Sequence, residues 1–344
     1  MKALVLTGGA ARGVYAAGVV EGLLTTETFD IVCGSSVGAL NGLGIALDRP
    51  ELLRGFWGEI AQARVLRLAE PLATLDRLRR EARGLRRGSA ADRFAAGVRF
   101  AAALGGLRAL GRLPRLVAAY GQDALRELLA PLCDAAALRR TFVVGVTNLT
   151  KTSSSTFYAF AGDPDGERER AYRAAEPNAE RLTDANLLDA LCASSALPGA
   201  FPPVTIALSD GTTAQFADGG IANNSPIAQA IAAGATDVTI ILLQHSGLRY
   251  RDRVIRSFGD IGFVMHDLVQ ERILELELAY VRMRNEQFFR GHAAPGQRFI
   301  DLRVIGPSIP LRLSALSFND QASIDRVYNL GVADGNAAQS VRRS

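Results

Sequence analysis

The pattern of apolar and polar positions divides the first fifty residues into two units, each a strand followed by a helix. Short apolar runs at residues 2–6 and 29–33 predict two buried strands. Each run precedes a segment whose apolar residues recur every three or four positions, at residues 14–24 and 37–47, and this spacing predicts a helix. Strands that alternate with helices are typical of an α/β fold with a mostly parallel sheet.

The same two patterns continue along the rest of the chain. Apolar runs predict further strands at residues 141–148, 154–160, 213–217, 237–243 and 298–305. Helical spacing predicts helices at residues 51–63, 183–193, 254–289 and 320–341. The predicted architecture is therefore a mostly parallel sheet with helices on both of its faces.

Two segments carry more specific predictions. The polar stretch at residues 163–181 predicts a surface loop. Within the helix predicted for residues 254–289, apolar residues at steps of three and four predict a stripe that faces the core. The members of this stripe are Met265, Val269, Ile273, Leu276, Tyr280 and Met283.

Length and cysteine content limit the class of protein. A chain of 344 residues is ordinary for one large α/β domain, so we expect a single domain over residues 1–344. Cys33, Cys133 and Cys192 lie in apolar surroundings without metal-ligand spacing, which predicts buried free thiols in a reducing compartment. No uninterrupted apolar span reaches the roughly 18 residues of a membrane helix. We therefore expect a cytoplasmic protein with no metal and no cofactor.

One segment carries the excess of basic over acidic residues. Residues 64–126 contain fourteen arginines and five acidic residues, whereas the net charge of the whole chain is only +4. Leucines recur at helical spacing between these arginines, so we interpret residues 64–127 as an inserted helical cap. Two interpretations of its charge stay open: a solvated face, or a surface for anionic lipid at a membrane periphery. We do not expect a nucleic-acid partner, because no aromatic stacking pattern accompanies the charge.

A candidate nucleophile lies between the second predicted strand and its helix. The sequence there is Gly34-Ser35-Ser36-Val37-Gly38, a G-x-S-x-G motif in the strand–turn–helix context in which that motif presents a serine. Ser36 would then lie at the N-terminus of a helix, where free N–H groups and the helix dipole stabilise an oxyanion. Ser36 is therefore the candidate nucleophile.

A glycine-rich loop follows the first predicted strand. Its sequence is Gly8-Gly9-Ala10-Ala11-Arg12-Gly13, and its backbone N–H groups could bind a phosphate or a developing oxyanion. A dinucleotide site is disfavoured, because the G-x-G-x-x-G motif needs glycine at Ala10 and no acidic residue ends the second strand. An oxyanion hole beside Ser36 is the simpler interpretation.

The candidate base is Asp218. It ends the strand predicted for residues 213–217 and precedes Gly219 and Gly220, at the carboxyl edge of a sheet where α/β sites form. An alternative is a Ser–Asp–His triad, because Ser36, Asp218 and His245 follow each other in the order used by α/β-hydrolases. We favour the dyad, since a histidine at a strand end is more often structural.

Four segments together make the chain resemble the patatin-like phospholipase family. They are the glycine-rich loop at residues 8–13, the elbow at residues 34–38, the segment A-S-x-A-x-P-x-x-F-x-P at residues 193–203, and the motif D-G-G at residues 218–220. The resemblance implies a three-layer α/β/α fold and a lipid acyl hydrolase with a Ser36–Asp218 dyad, with lipid or a membrane surface as substrate. The one departure is Ala10, which replaces the third glycine of the loop.

The resemblance also implies roles for the residues of these motifs. The family pattern places the oxyanion hole in the glycine-rich loop, with the glycines of the elbow and of the D-G-G motif as structural support. The loop residues are Gly8, Gly9, Ala10, Ala11, Arg12 and Gly13, and the supporting glycines are Gly34, Gly38, Gly219 and Gly220.

Two other functional classes are alternatives to a hydrolase. A short-chain reductase would need T-G-x-x-x-G-x-G and Y-x-x-x-K, but Arg12 replaces one glycine, and neither Lys2 nor Lys151 follows a tyrosine at that spacing. A catalytically silent lipid-binding protein is an alternative, although such a protein needs neither Ser36 nor Asp218.

Overall fold

The described strands of the protein form one large sheet and one short two-stranded antiparallel sheet. The computed structural model describes residues 1–63, 66–69, 72–73, 76–77, 80, 98, 118–244 and 258–342. The strands are β1 (Lys2–Leu6), β2 (Ile31–Ser35), β3 (Arg67–Leu68), β4 (Tyr120–Gly121), β5 (Thr141–Asn148), β6 (Ser153–Ala159), β7 (Glu180–Arg181), β8 (Val204–Ala207), β9 (Thr213–Asp218), β10 (Asp237–Ile241) and β11 (Asp301–Ile305).

Helices of very different length connect these strands. They are α1 (Gly13–Leu23), α2 (Val37–Ala46), α3 (Leu52–Ala63), α4 (Asp123–Leu129), α5 (Glu167–Ala175), α6 (Leu187–Ser194), α7 (Ile227–Ala232), α8 (Phe258–Phe289) and α9 (Gln321–Arg342). Short 3₁₀ turns at Ala10–Arg12 and Gly219–Ile221 follow β1 and β9. Both turns belong to the motifs singled out in the sequence.

The large sheet is mostly parallel, as predicted. Its strand order is β11-β10-β1-β2-β5-β6-β7, and the first five of these strands run parallel to one another. Strand β9 pairs antiparallel with the end of β5, and β8 pairs with β9. Because β1 and β2 are parallel neighbours, with Leu6 opposite Gly34, the loop after β1 lies beside the elbow after β2.

Successive residues of the central strands face opposite layers. In β1, Leu4 and Leu6 pack into the core that contains α1, α2 and α9, while Ala3 and Val5 pack into the core that contains α7 and part of α8. Side chains of a strand alternate between its two faces, so a strand buried on both faces needs a continuous apolar run. The predicted three-layer α/β/α arrangement is confirmed.

Two predictions of local structure were wrong or shifted. Residues 163–181, expected to be a surface loop, contain helix α5 and strand β7. The helix packs through Tyr172, which is fully buried and whose hydroxyl lies 2.8 Å from the Thr156 hydroxyl. A single large aromatic side chain therefore anchors an otherwise charged helix. Helix α6 begins at Leu187, four residues later than predicted.

The prediction of a core-facing stripe on α8 was also wrong. Met265 and Leu276 are 61% and 70% exposed, and Val269 and Met283 are about half exposed. The buried side of the helix instead carries polar residues as well as apolar ones, including Asp267, Gln270 and Val281. The spacing of apolar residues predicted the wrong buried face of α8. The face that is actually buried includes polar residues, which are stabilised there by partners on other elements.

Several predictions concern cysteines and membrane contact. All three cysteines are free, as predicted, and Cys33 and Cys192 are buried. Cys133 is only half-buried, because it follows a short 3₁₀ turn that has no buried residue. Among the described residues, no helix has both the length and the apolar character needed to cross a membrane. Most of the predicted cap at residues 64–127 lies outside the described residues. So do most of the arginines on which the interpretation of its charge depends.

Candidate active site

The G-x-S-x-G elbow forms as the sequence predicts, between β2 and α2. Ser36 has φ 54° and ψ −130°, a strained conformation that persists only when the surrounding structure enforces it. A Cβ atom at Gly38 would lie 2.1 Å from the carbonyl oxygen of Leu6, so only glycine permits this approach of α2 to β1. The result is a serine held at the N-terminus of a ten-residue helix, with its side chain in a pocket.

Ser36 and Asp218 meet although they are 182 positions apart in the sequence. The Ser36 hydroxyl donates to the Asp218 Oδ2 atom over 2.6 Å. The other carboxylate oxygen, Oδ1, accepts from the N–H of Gly220 at 2.8 Å. This contact depends on the pairing of β9 with β5, which brings Asp218 opposite Val146 at the carboxyl end of the parallel strands.

Burial makes Asp218 a stronger base than an exposed aspartate. The side chain is almost fully buried, and removal from water raises its pKa from 3.8 to about 6, although the hydrogen bonds from Ser36 and Gly220 lower it. Desolvation penalises the charged form of a carboxyl group, which explains the direction of the shift. At neutral pH the group is ionised and can accept a proton from Ser36.

A buried serine holds the backbone of Ser36, the candidate nucleophile. The N–H of Ser36 donates to the Ser194 hydroxyl at 2.9 Å, and that hydroxyl donates to the carbonyl of Gly145 at 2.6 Å. Ser194 ends helix α6 and is fully buried. The sequence placed Ser194 in a family motif but gave it no role. Its hydrogen bond to the Ser36 N–H stabilises the strained backbone of the elbow.

The backbone N–H groups of the glycine-rich loop have different partners. The N–H of Gly8 donates to the Asn224 Oδ1 atom at 2.9 Å, and that of Ala11 donates to the carbonyl of Ala315 at 2.9 Å. The N–H groups of Arg12 and Gly13 bond within the turn itself. Among the described residues, the N–H groups of Gly9 and Ala10 have no such partner, and both residues line the pocket with Ser36.

Ala10 adopts the backbone conformation that favours glycine. Its φ is 52°, in the left-handed region, where a residue with a Cβ atom costs about 1 kcal/mol or more relative to glycine. The replacement of the third family glycine by Ala10 therefore keeps the N–H group but adds strain to the loop.

Polar side chains of α8 and of the loop before α7 support the glycine-rich loop. The Nδ2 atom of Asn224 donates to the Gln270 Oε1 atom at 3.0 Å, while its Oδ1 atom accepts from Gly8. The Arg12 guanidinium forms an ion pair with Asp267 at 3.2 Å. Sequence reasoning missed Asp267 and Gln270, although two polar residues inside an otherwise apolar helical pattern were the available signal.

The pocket over Ser36 is mainly apolar. Its volume is about 800 Å³ when the part open to solvent is counted. Arg12 and Asp267 both line it, and they pair with each other. The apolar lining consists of Val37, Leu40, Ile60, Leu125, Leu197, Phe201, Leu316 and Phe318, together with Ala315.

Two further predictions concern the alternative catalytic triad and a metal site. His245, the third member of the alternative triad, lies outside the described residues. Within the described ranges, no group of three or more histidine, cysteine or acidic side chains is arranged to hold a metal ion.

The similarity of the chain to known proteins is clearest at the level of a protein family. The family model described as Patatin-like phospholipase matches residues 4–231, which is more than half of the chain. A search of curated proteins finds no match. The solved structure of VipD from Legionella pneumophila aligns at 14% identity with a TM-score of 0.38, and the alignment covers 97% of this chain and 66% of VipD. The chain thus spans just under two thirds of the length of VipD.

Proposed function

Because the chain belongs to the patatin-like phospholipase family, we propose that it hydrolyses acyl ester bonds of lipids with a dyad of Ser36 and Asp218. The observation that carries the proposal is the 2.6 Å hydrogen bond between the Ser36 hydroxyl and the Asp218 carboxylate inside an apolar pocket. A nucleophile within hydrogen-bonding reach of a base is the arrangement that covalent catalysis needs.

In the first step, the Ser36 oxygen attacks the ester carbonyl carbon while its proton passes to Asp218. The raised pKa of Asp218, about 6, supports this role, because a general base works best when its pKa lies near the working pH. The hydrogen bond from Gly220 to Oδ1 orients the carboxylate so that Oδ2 faces the hydroxyl.

The attack places negative charge on the former carbonyl oxygen. We propose that the N–H groups of Gly9 and Ala10 donate to this oxyanion, since they line the pocket and the neighbouring N–H groups of the loop are already engaged. Donors fixed in advance at the position where charge develops can contribute about 3 to 4 kcal/mol to transition-state stabilisation. The contacts of Asn224 with the loop would keep these donors in place.

Collapse of the tetrahedral intermediate completes acylation. The alcohol leaves with the proton held by Asp218, and the acyl group stays on Ser36 as an ester. Water then attacks this ester while Asp218 takes its proton. Asp218 returns the proton to the Ser36 oxygen as the bond to the acyl group breaks, and the fatty acid leaves. The same two residues therefore act in both halves of the reaction, and no histidine is required.

The character of the pocket supports an acyl chain as the bound part of the substrate. Its lining is mostly aliphatic and aromatic. Apart from Asp218, the proposed base, its charged groups are Arg12 and Asp267, which neutralise each other in an ion pair. An apolar pocket with few polar groups gains free energy from each buried methylene, about 0.8 kcal/mol. A fatty acyl ester fits this description better than a polar ester.

Two further expectations remain proposals. Contact of the basic segment at residues 64–126 with anionic lipid is supported only by its charge. A cytoplasmic location is supported by the free cysteines. Peripheral membrane association is supported only by the charge of the same basic segment.

The competing function is lipid binding without catalysis. It would leave the strain at Ser36 and the buried Asp218 without purpose, although both lower stability. A substitution separates the two functions. Ser36→Ala should abolish hydrolysis of p-nitrophenyl butyrate and of phospholipid, with the fold unchanged by circular dichroism. Turnover equal to that of the parent protein would refute the assignment.

A further inference from the structure

The first turns of α8 carry an exposed apolar patch. Its members are Ile261, Met265, Leu268 and Val269, whose side chains are 41%, 61%, 47% and 47% exposed. Residues at these spacings project from one side of a helix. We call this group the outer patch.

The opposite side of the same turns belongs to the candidate active site. Asp267 and Gln270 are buried there, where Asp267 pairs with Arg12 and Gln270 accepts from Asn224. Asp267 also lines the pocket over Ser36. Since a helix with its side chains is about 10 to 12 Å across, the outer patch lies about one helix diameter from the catalytic pocket.

We propose that the outer patch docks on a lipid bilayer surface and so brings the pocket to its substrate. This proposal rests on the proposed function, because it assumes a lipid ester as substrate. An amphipathic helix binds such a surface by placing its apolar face at the boundary between headgroups and acyl chains. The apolar pocket would then open beside the surface that holds the acyl chains.

Charge and area favour lipid over a protein partner. Among the side chains that the structure describes on this side of α8, Arg272 pairs with Glu275 at 2.6 Å, so this pair adds little net charge beside the patch. Four side chains on one helical ridge expose far less than the roughly 800 Å² per partner that a stable protein interface buries. A neutral lipid surface requires neither specificity nor a large matched area.

The test replaces apolar side chains in the first turns of α8 and, as a control, near its C-terminal end. The triple variant Met265→Gln, Leu268→Gln, Val269→Gln removes the most exposed members of the patch, while glutamine keeps helix propensity. The matched control is Phe288→Gln, Phe289→Gln, Phe299→Gln, which removes an exposed aromatic cluster near the other end of α8. None of these six residues belongs to the candidate active site.

Binding is measured by co-sedimentation with neutral phosphatidylcholine vesicles at about 0.5 M salt, where charge attraction is screened. We expect the patch variant to bind at least about tenfold more weakly than the parent, because each exposed aliphatic side chain contributes transfer free energy at the interface. The aromatic control should bind like the parent. A variant with Met265→Leu, Leu268→Met and Val269→Ile should keep binding, which separates loss of apolar surface from damage to the helix.

Soluble substrate distinguishes failure of docking from failure of the proposed function. The patch variant should hydrolyse p-nitrophenyl butyrate at the parental rate and vesicle phospholipid more slowly. Equal vesicle binding by patch variant and parent would overturn the docking proposal, whatever the activity. So would size-exclusion data showing a parental dimer that the patch variant dissociates, since a second copy would then cover the patch. Inactivity of the parent on every ester would count against the proposed function alone.

Discussion

The buried carboxylate of Asp218 should lower the stability of the folded protein, and Asp218→Asn should restore it. Asparagine has nearly the same shape and can still accept the hydrogen bond from the N–H of Gly220 through its oxygen. It cannot carry the negative charge that burial penalises. We therefore expect a variant that is catalytically inactive and yet more stable than the parent at neutral pH.

The magnitude follows from the shift of the pKa from 3.8 to about 6. Because the folded-state pKa is raised, ionisation of Asp218 favours the unfolded chain, and the penalty grows as pH rises from about 4 to about 6 and is constant above. Each pKa unit corresponds to about 1.4 kcal/mol, so the full penalty is about 3 kcal/mol at pH 7.5 and about 1.5 kcal/mol at pH 5.

The assay is urea unfolding of parent and variant at both pH values. The useful quantity is the difference in free energy of unfolding, because the other titrating groups, including Glu277 with its raised pKa, occur in both proteins and cancel. An exposed aspartate provides the control: Asp165→Asn should change stability little at either pH. A variant less stable than the parent, or a difference that does not grow with pH, would refute the reasoning.

Three further predictions concern the same site. The kcat/KM of the parent for p-nitrophenyl butyrate should fall about tenfold per pH unit below about 6, as Asp218 becomes protonated, and a flat profile from pH 5 to 8 would exclude it as the base. His245→Ala should keep activity within about tenfold under the dyad, whereas a triad predicts a loss of roughly 10³-fold or more. Ala10→Gly should leave the free energy of unfolding unchanged or raise it by up to about 1 kcal/mol, because relief of the positive φ outweighs the added freedom of the unfolded chain. A clear loss of stability in urea unfolding would contradict this account of the loop.

The sequence was informative where local pattern and motif agree. The apolar runs of β1 and β2 and the helical spacing after them are short-range signals, and strands buried on both faces leave little ambiguity. The elbow at Ser36 was also predictable, because one of its steric needs is local: a Cβ atom at Gly34 would lie 2.5 Å from the carbonyl carbon of Gly38.

The rest depended on contacts between distant parts of the chain. The pairing of β9 with β5 sets the distance from Asp218 to Ser36, and no local pattern encodes it. The exposed stripe on α8 was assigned to the core because helical spacing gives the period of a pattern but not its direction. Asp267 and Gln270, whose partners lie on other elements, decide which side of the helix is buried.

The most direct test of the central claim is covalent labelling with a fluorophosphonate, followed by mass spectrometry of the digested protein. The account predicts one adduct, on the hydroxyl of Ser36, formed much more slowly in Asp218→Asn and absent in Ser36→Ala. Labelling of another serine with loss of activity, or a Ser36→Ala variant that is labelled and inhibited like the parent, would contradict the claim that Ser36 is the nucleophile.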